Sequence, residues 1–241
     1  MAKRILIADD NEINREFLRA VLRRDQWRIE TVDNGREAIE CCRAARYDLV
    51  LMDIRMPEVD GIAATAEIRT IDGYDGVPIL ALTADLHLQQ QDELRSRGFA
   101  ATLLKPISRQ ALLTAIGNFL DVEPESASPP SDAGPAPIDR QAALAAAGGN
   151  TELVDRLTGM LAQELEDFAP RIAEHIAQAA LPAARELVHK LRASAGYCGA
   201  ISLRDAAGEL ENALSAGDSQ AVAAAHRGFD RELERLLASL R

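Results

Sequence analysis

The chain has 241 residues, of which 47% are hydrophobic and only 4% aromatic, and its formal net charge is −11; this suits one or two domains with real cores. The charge is −4 over residues 1–121, −3 over 122–137 and −4 over 138–241, so neither half offers the basic face that nucleic acid binding demands. No run of about eighteen apolar residues exists and the N-terminus lacks the apolar stretch of a signal peptide, so direct membrane insertion is not expected and the cytoplasm is.

Residues 1–121 alternate strand and helix. Short apolar runs predict strands at 4–8, 28–32, 49–52, 79–83 and 102–104. Helical patterns predict helices at about 14–24, 35–45, 61–70, 88–97 and 108–120. The runs are nearly continuous, as expected of parallel strands covered on both faces. Five strand–helix units make a complete doubly wound α/β domain around a parallel sheet. Cys41 and Cys42 are adjacent in a predicted helix and cannot easily pair, and with Cys198 they show no metal-ligand spacing, so all three read as small hydrophobes in a reducing compartment.

Residues 122–137 hold five prolines and almost nothing apolar, which predicts a semi-stiff linker. Residues 138–241 show no strand pattern and are rich in alanine. Asp139 is placed to cap a short helix ending at Gly148 and Gly149. Asn150 caps the next helix, to about Phe168 or onward past Pro170 with a kink. Pro182 opens a helix through about Tyr197. Ser202 caps one to Ala216, and Asp218 one to Leu240. The expectation is an antiparallel helical bundle, giving an α/β plus all-α molecule with domains at 1–121 and 138–241.

The chemistry gathers at strand ends. Asp9, Asp10, Asp53, Thr83 and Lys105 each fall at or just after the end of an apolar run. In an open parallel sheet, functional groups meet at the carboxyl ends of the strands. Three carboxylates, a hydroxyl and an ammonium would therefore share one pocket. Such a carboxylate cluster suits a hard divalent cation, and the cation suits a phosphoryl group. Any one aspartate after a strand is more often a cap or turn former, and a lone lysine is more often a solvated charge. Five in register are not.

The strings ILIADDNEINR, LVLMDIRMPEVDG, PILALTAD and LLKPI resemble the receiver domain of two-component response regulators, over residues 1–121. The resemblance implies a flavodoxin-like strand order 2-1-3-4-5. It implies that Asp53 is the phosphoacceptor, forming an aspartyl phosphate. It implies that Asp10 and Asp53 hold Mg²⁺ with the backbone carbonyl of Arg55, while Asp9 acts directly or through water. Lys105 would offset phosphoryl charge, and Thr83 would bind a phosphoryl oxygen and act as a switch. A cis Lys105–Pro106 peptide would aim the lysine. Three positions before the lysine, where the family often has an aromatic residue, this chain has Thr102.

A second constellation is LVHKLRASAGYCGA, residues 187–200. Ala184, Leu187, Val188, Leu191, Ala195 and Cys198 follow helical spacing and form a buried seam. His189 lies off that seam, with Arg185 and Arg192 on its face. The string resembles the histidine phosphotransfer (HPt) motif, with Arg192 at the basic position, Ala193 at the small one and Gly199-Ala200 as the closing pair. The family more often has lysine and glycine at the first two. The resemblance implies an exposed phosphoacceptor imidazole between two arginines that offset phosphoryl charge, with Ala193 and Gly196 leaving room for a docking receiver. His87, His175 and His226 lack the flanking motif and read as solvated side chains.

Together these readings predict a phosphorelay protein. A histidine kinase, possibly a hybrid one, would phosphorylate Asp53, and His189 would exchange a phosphoryl group with its own or a separate receiver; a downstream receiver or HPt protein is the further partner expected. No ATP-binding lobe is present, so the chain is not expected to be the kinase itself. Met1, directly before the first strand, favours a stand-alone protein. In the alternative reading, phosphorylation of the receiver controls access to the HPt face without internal transfer. A kinase dimerisation bundle is weaker, because it lacks that lobe and would not need Gly199-Ala200.

Overall fold

The computed structural model describes residues 2–23, 25–84, 88–120 and 137–240, except the side chains of 88–91. The predicted linker lies outside the described residues but for its last one, as do His87 and Arg24. The described elements fall into two compact units.

The first unit runs β1 (Lys3–Ala8), α1 (Glu12–Val21), β2 (Trp27–Val32), α2 (Gly35–Ala44), β3 (Leu49–Asp53), α3 (Gly61–Ile68), β4 (Ile79–Thr83), α4 (Leu88–Ser96), β5 (Ala101–Leu104) and α5 (Arg109–Gly117). The sheet order is β2-β1-β3-β4-β5, parallel throughout. The three inner strands carry the continuous apolar runs; β3 and β4 are buried at every position. The edge strands β2 and β5 are half-buried, which is why their runs are broken by polar residues. Leu6, Ala8, Val50, Met52, Ile79 and Ala81 share one cluster with Ala38, Ile39, Ala64 and Ile68 of α2 and α3. Alternate residues of a strand point to the opposite face. Ile5, Ile7, Leu49, Leu51 and Leu80 are fully buried there, as are Phe17 of α1 and Leu112 and Ile116 of α5.

Side-chain caps fix where the helices start, and so where the strands hand over to loops. Asn11, Asn34, Asp60 and Ser108 each accept the amide N–H three residues on. The first helix accordingly begins at Glu12, two residues before the expected start at Asn14, because Asn11 is its cap.

The second unit runs α6 (Arg140–Ala146), α7 (Thr151–Ala177), α8 (Leu181–Tyr197), α9 (Ile201–Ala216) and α10 (Ser219–Ser239). Successive helices pack on one another, and the short joins make neighbours antiparallel. Asp139, Asn150 and Asp218 cap as expected. Helix α7 continues through Pro170. Pro170 is exposed, so water can serve the carbonyl that its missing N–H leaves unpaired.

Ser202 is not a cap. Helix α9 begins at Ile201 with Ala200 in the cap position and no side-chain cap bond. Gly199 closes the preceding turn at φ +72°, and its carbonyl accepts the Asp139 N–H at 2.8 Å. A Cβ at 199 would lie 2.4 Å from the Asp139 carbonyl oxygen. Gly199 thus ties α6 to the α8–α9 turn, and the tight turn starts α9 before a hydroxyl at 202 could reach its amides.

Candidate functional site

At the carboxyl ends of β1, β3 and β5, four charged side chains converge. Asp9 follows β1 and is fully buried; Asp53 ends β3 at 4% exposure; Lys105 follows β5 at 8%. Lys105 Nζ lies 2.7 Å from Asp9 Oδ2 and 2.7 Å from Asp53 Oδ2. The half-buried Asp10 joins them, and ligand oxygens of Asp9, Asp10 and Asp53 all lie within 4.8 Å of one another.

The backbone sets this geometry. The Ile54 N–H donates to Leu82 O and the Lys105 N–H donates to Thr83 O at 2.7 Å, which carries the ladder past the strand ends. The Lys105–Pro106 peptide is cis. Gly61 opens α3 against Asp53; a Cβ there would lie 2.0 Å from the Asp53 carbonyl oxygen. The Arg55 amide N–H donates to Asp53 Oδ1 at 3.3 Å. Thr83 ends β4, 9% exposed, opposite Leu104 in the β4–β5 register.

Asp9 is held from two sides that sequence reasoning did not single out. Its Oδ1 accepts the Asn11 N–H at 3.0 Å and Asn14 Nδ2–H at 3.0 Å, and its backbone carbonyl accepts from Arg15 Nη1 at 2.6 Å. The available signal was the string DDNEINR, in which Asn14 falls one helical turn past the cap Asn11.

Three carboxylates face one ammonium in a dry setting. Burial pushes the Asp53 carboxyl up to about 7; Lys105 opposes the rise, and Asp9 and Asp10 add to it. The cluster carries surplus negative charge and offers only oxygen donors, the set a hard divalent cation prefers.

In the second unit the expected seam is buried at every named position: Ala184, Leu187, Val188, Leu191, Ala195 and Cys198. His189 departs from its expectation. Its side chain is only 15% exposed, and its Nδ1 lies 2.9 Å from Oε1 of Glu211 on α9. Arg192 Nη1 donates to Glu211 Oε2 at 3.0 Å. Among the described residues, Arg185 reaches the Ser215 hydroxyl, at 3.5 Å. The imidazole is therefore backed by a carboxylate and not merely flanked by two arginines. Ala193 is buried as well. Glu211 went unnoticed because helical spacing within α8 says nothing of a residue 22 positions on.

Of the other described histidines, His175 and His226 are half-buried, not the solvated side chains expected, and His226 sits 3.6 Å from Asp230 on its own helix. All three cysteines are free thiols; burial pushes Cys42 up to about 11 and raises Cys198 as well.

The family model of the response regulator receiver domain matches residues 5–117, and that of the Hpt domain matches 156–241. The polar-differentiation response regulator DivK of Brucella anthropi is 32% identical over 120 residues, half of this chain and 98% of DivK. This chain belongs to the response regulator receiver family. An Hpt domain follows on the same chain. The signal transduction histidine-protein kinase BarA of Shigella flexneri is 29% identical over 230 residues, 91% of this chain. The sensor histidine kinase GacS of Pseudomonas protegens is 32% identical over 252 residues, all of this chain. The chain spans only about a quarter of the length of these two kinases, 25% and 27%. Receiver and Hpt domains together indicate phosphorelay signalling, with histidine kinases and other relay proteins as the class of partner. Among the described residues, no helix is long and apolar enough to cross a membrane.

Proposed function

We propose that this chain is a two-station phosphoryl carrier. Asp53 takes a phosphoryl group from a phosphohistidine donor on a histidine kinase, and His189 carries one to or from a receiver aspartate, its own or a separate protein's. One observation carries the reading: a single chain holds both a buried carboxylate cluster at the strand ends and a carboxylate-backed histidine on a bundle helix. With a histidine kinase as the donor, the relay would run in the cytoplasm, where ATP charges such kinases.

An Asp53 carboxylate oxygen attacks phosphorus as the donor's N–P bond breaks, leaving an acyl phosphate. Asp53 must be ionised to attack, and Lys105, 2.7 Å away, holds that negative charge in place. As the group arrives, the ammonium is positioned to follow the charge onto the phosphoryl oxygens. The Thr83 hydroxyl is the donor that engages the product at the end of β4. Asp9, Asp10 and Asp53, with the Arg55 carbonyl, would hold Mg²⁺; the surplus of carboxylates over ammonium fits that ion. Bound there, Mg²⁺ would offset the repulsion between a carboxylate and a phosphoryl dianion.

The test is phosphoryl labelling from a phosphohistidine donor with Mg²⁺, comparing wild type with Asp53→Ala, His189→Ala and the double variant. Aspartyl phosphate is base-labile and phosphohistidine acid-labile, so the two labels separate. Acid-labile label that needs both residues supports internal relay. If Asp53→Ala leaves labelling of His189 by a separate receiver intact, the two units act apart and the receiver regulates. A chain that takes label at neither residue from any donor refutes the proposal.

A further inference from the structure

Among the buried residues of α1, Asn14 is the polar one. Ile13, Phe17, Leu18 and Val21 share its face, and Asn14 is fully buried with them. Its amide Nδ2–H group donates to Asp9 Oδ1 at 3.0 Å and to Asp9 Oδ2 at 3.3 Å. Its Oδ1 finds no donor among the described residues. A buried carbonyl left in that state costs the fold free energy, and an aliphatic side chain would fill the same place without that cost. Sequences break a local rule of this kind at functional sites.

We infer that Asn14 is a positioning residue of the acid cluster: it holds the Asp9 carboxylate in place and thereby sets how tightly the cluster takes a divalent cation. The inference rests on the proposed reading of that cluster as a Mg²⁺ site. Asp9 is the most enclosed of the three acids. The Asn14 amide spans both of its oxygens, so it fixes the turn of the carboxylate about its Cβ–Cγ bond as well as its place. The first turn of α1 is built around this contact. Asp9 Oδ1 accepts the Asn11 N–H, Asn11 Oδ1 accepts the Asn14 N–H at 3.0 Å, and Asn14 Nδ2 returns to Asp9. The three residues close a ring, and Arg15 Nη1 pins it by donating to the Asp9 carbonyl.

The consequence for an ion follows from the repulsion among the acids. Oxygens of Asp9, Asp10 and Asp53 lie within 4.8 Å of one another. With no cation between them, an Asp9 side chain free to rotate would turn away from its neighbours. Binding would then have to turn it back, and that work would be subtracted from the affinity. Asn14 keeps Asp9 turned toward the cluster before the ion arrives. A hydrogen-bond partner of this kind, one step removed from the ion, typically governs metal affinity on the order of ten- to a hundredfold. Leucine at position 14 would suit the burial and lose the contact.

The test uses the full chain and Mg²⁺ alone. Asn14→Leu is expected to bind Mg²⁺ more weakly in a calorimetric titration, on the order of ten- to a hundredfold. Its melting temperature in chelator should stay at or above that of wild type, because the orphaned carbonyl goes with the amide. Labelling of Asp53 by acetyl phosphate should need correspondingly more Mg²⁺ to reach half its maximal rate. In the wild-type chain, the Asn14 side-chain amide protons should exchange slowly with solvent, and their NMR resonances should shift as Mg²⁺ is added. A Mg²⁺ affinity unchanged in Asn14→Leu overturns the inference, and a lower melting temperature in chelator alongside it would mark Asn14 as purely structural. Wild-type amide resonances that Mg²⁺ leaves in place overturn it as well. A wild-type chain that takes up no Mg²⁺ in the titration overturns the reading of the cluster as an ion site. The wild-type resonances need no variant, so an Asn14→Leu chain that fails to fold does not shield the inference.

Discussion

At Asp53, charge and burial pull against each other. The carboxyl is raised from the usual 3.8 to about 7 in the folded, metal-free protein, chiefly by desolvation. Below about pH 4 it is protonated whether the chain is folded or not, so it costs the fold nothing. Between about pH 4 and pH 7 the unfolded carboxyl ionises while the folded one is held neutral, so stability is lost across that window and the loss is complete above it. Asp53→Asn cannot ionise. In chelator it is expected to melt above wild type at pH 8, with an advantage that shrinks toward pH 4. A shift of about three units at about 1.4 kcal/mol each sets a ceiling near 4 kcal/mol, which loss of the Lys105 ion pair reduces. Thermal denaturation at both pH values measures it; a variant less stable than wild type at pH 8 would mean that the cluster carries no surplus charge. Asp9, Asp53 and Lys105 were legible in the sequence because each ends or follows an apolar run, and parallel topology then brings strand ends together whatever the loops do. Glu211 was not, because its meeting with His189 depends on how α8 registers against α9, and no local periodicity encodes that.

At the scale of elements, a glycine decides what a serine cannot. Ser202 carries a local cap preference, yet Gly199 starts α9 earlier by closing the turn and accepting the Asp139 N–H. Gly199→Ala faces two penalties. The left-handed φ of +72° costs a residue with a Cβ about 1–2 kcal/mol, and that Cβ would press to 2.4 Å from the Asp139 carbonyl oxygen. The turn can relieve both by releasing α6, which holds a single fully covered stripe around Ala143 and Ala147. Hydrogen exchange is therefore expected to show lost protection across 140–147 while α8 and α9 keep theirs. Loss of protection throughout the bundle would mean that Gly199 supports the whole unit and not this one join. Strand positions fared better than helix ends because an inner parallel strand is announced by its burial alone, whereas a helix start is a contest between neighbouring side chains and the turn before them.

At the scale of the molecule, the two units answer to different chemistry, which gives a way to observe each in the intact chain. The carboxylate cluster belongs to the first unit, and among the described residues it is the only group of acids and other ligating side chains close enough together to hold an ion. A ligand that binds only a folded site raises stability by RT ln(1 + [L]/Kd), about 2.7 kcal/mol at a hundred times Kd. Calorimetry of the whole chain is expected to resolve two transitions, one of which rises with Mg²⁺ while the other stays fixed. In Asp53→Asn, which keeps two of the three carboxylates, the Mg²⁺-dependent rise should shrink. In His189→Ala neither the rise nor its concentration dependence should change, because the histidine belongs to the second unit and is not one of the cluster's acids. A single transition that moves with Mg²⁺ as a whole would show the helical unit to be stabilised through the receiver. Phosphorylation at Asp53 would then be able to alter the environment of His189 without transferring anything to it.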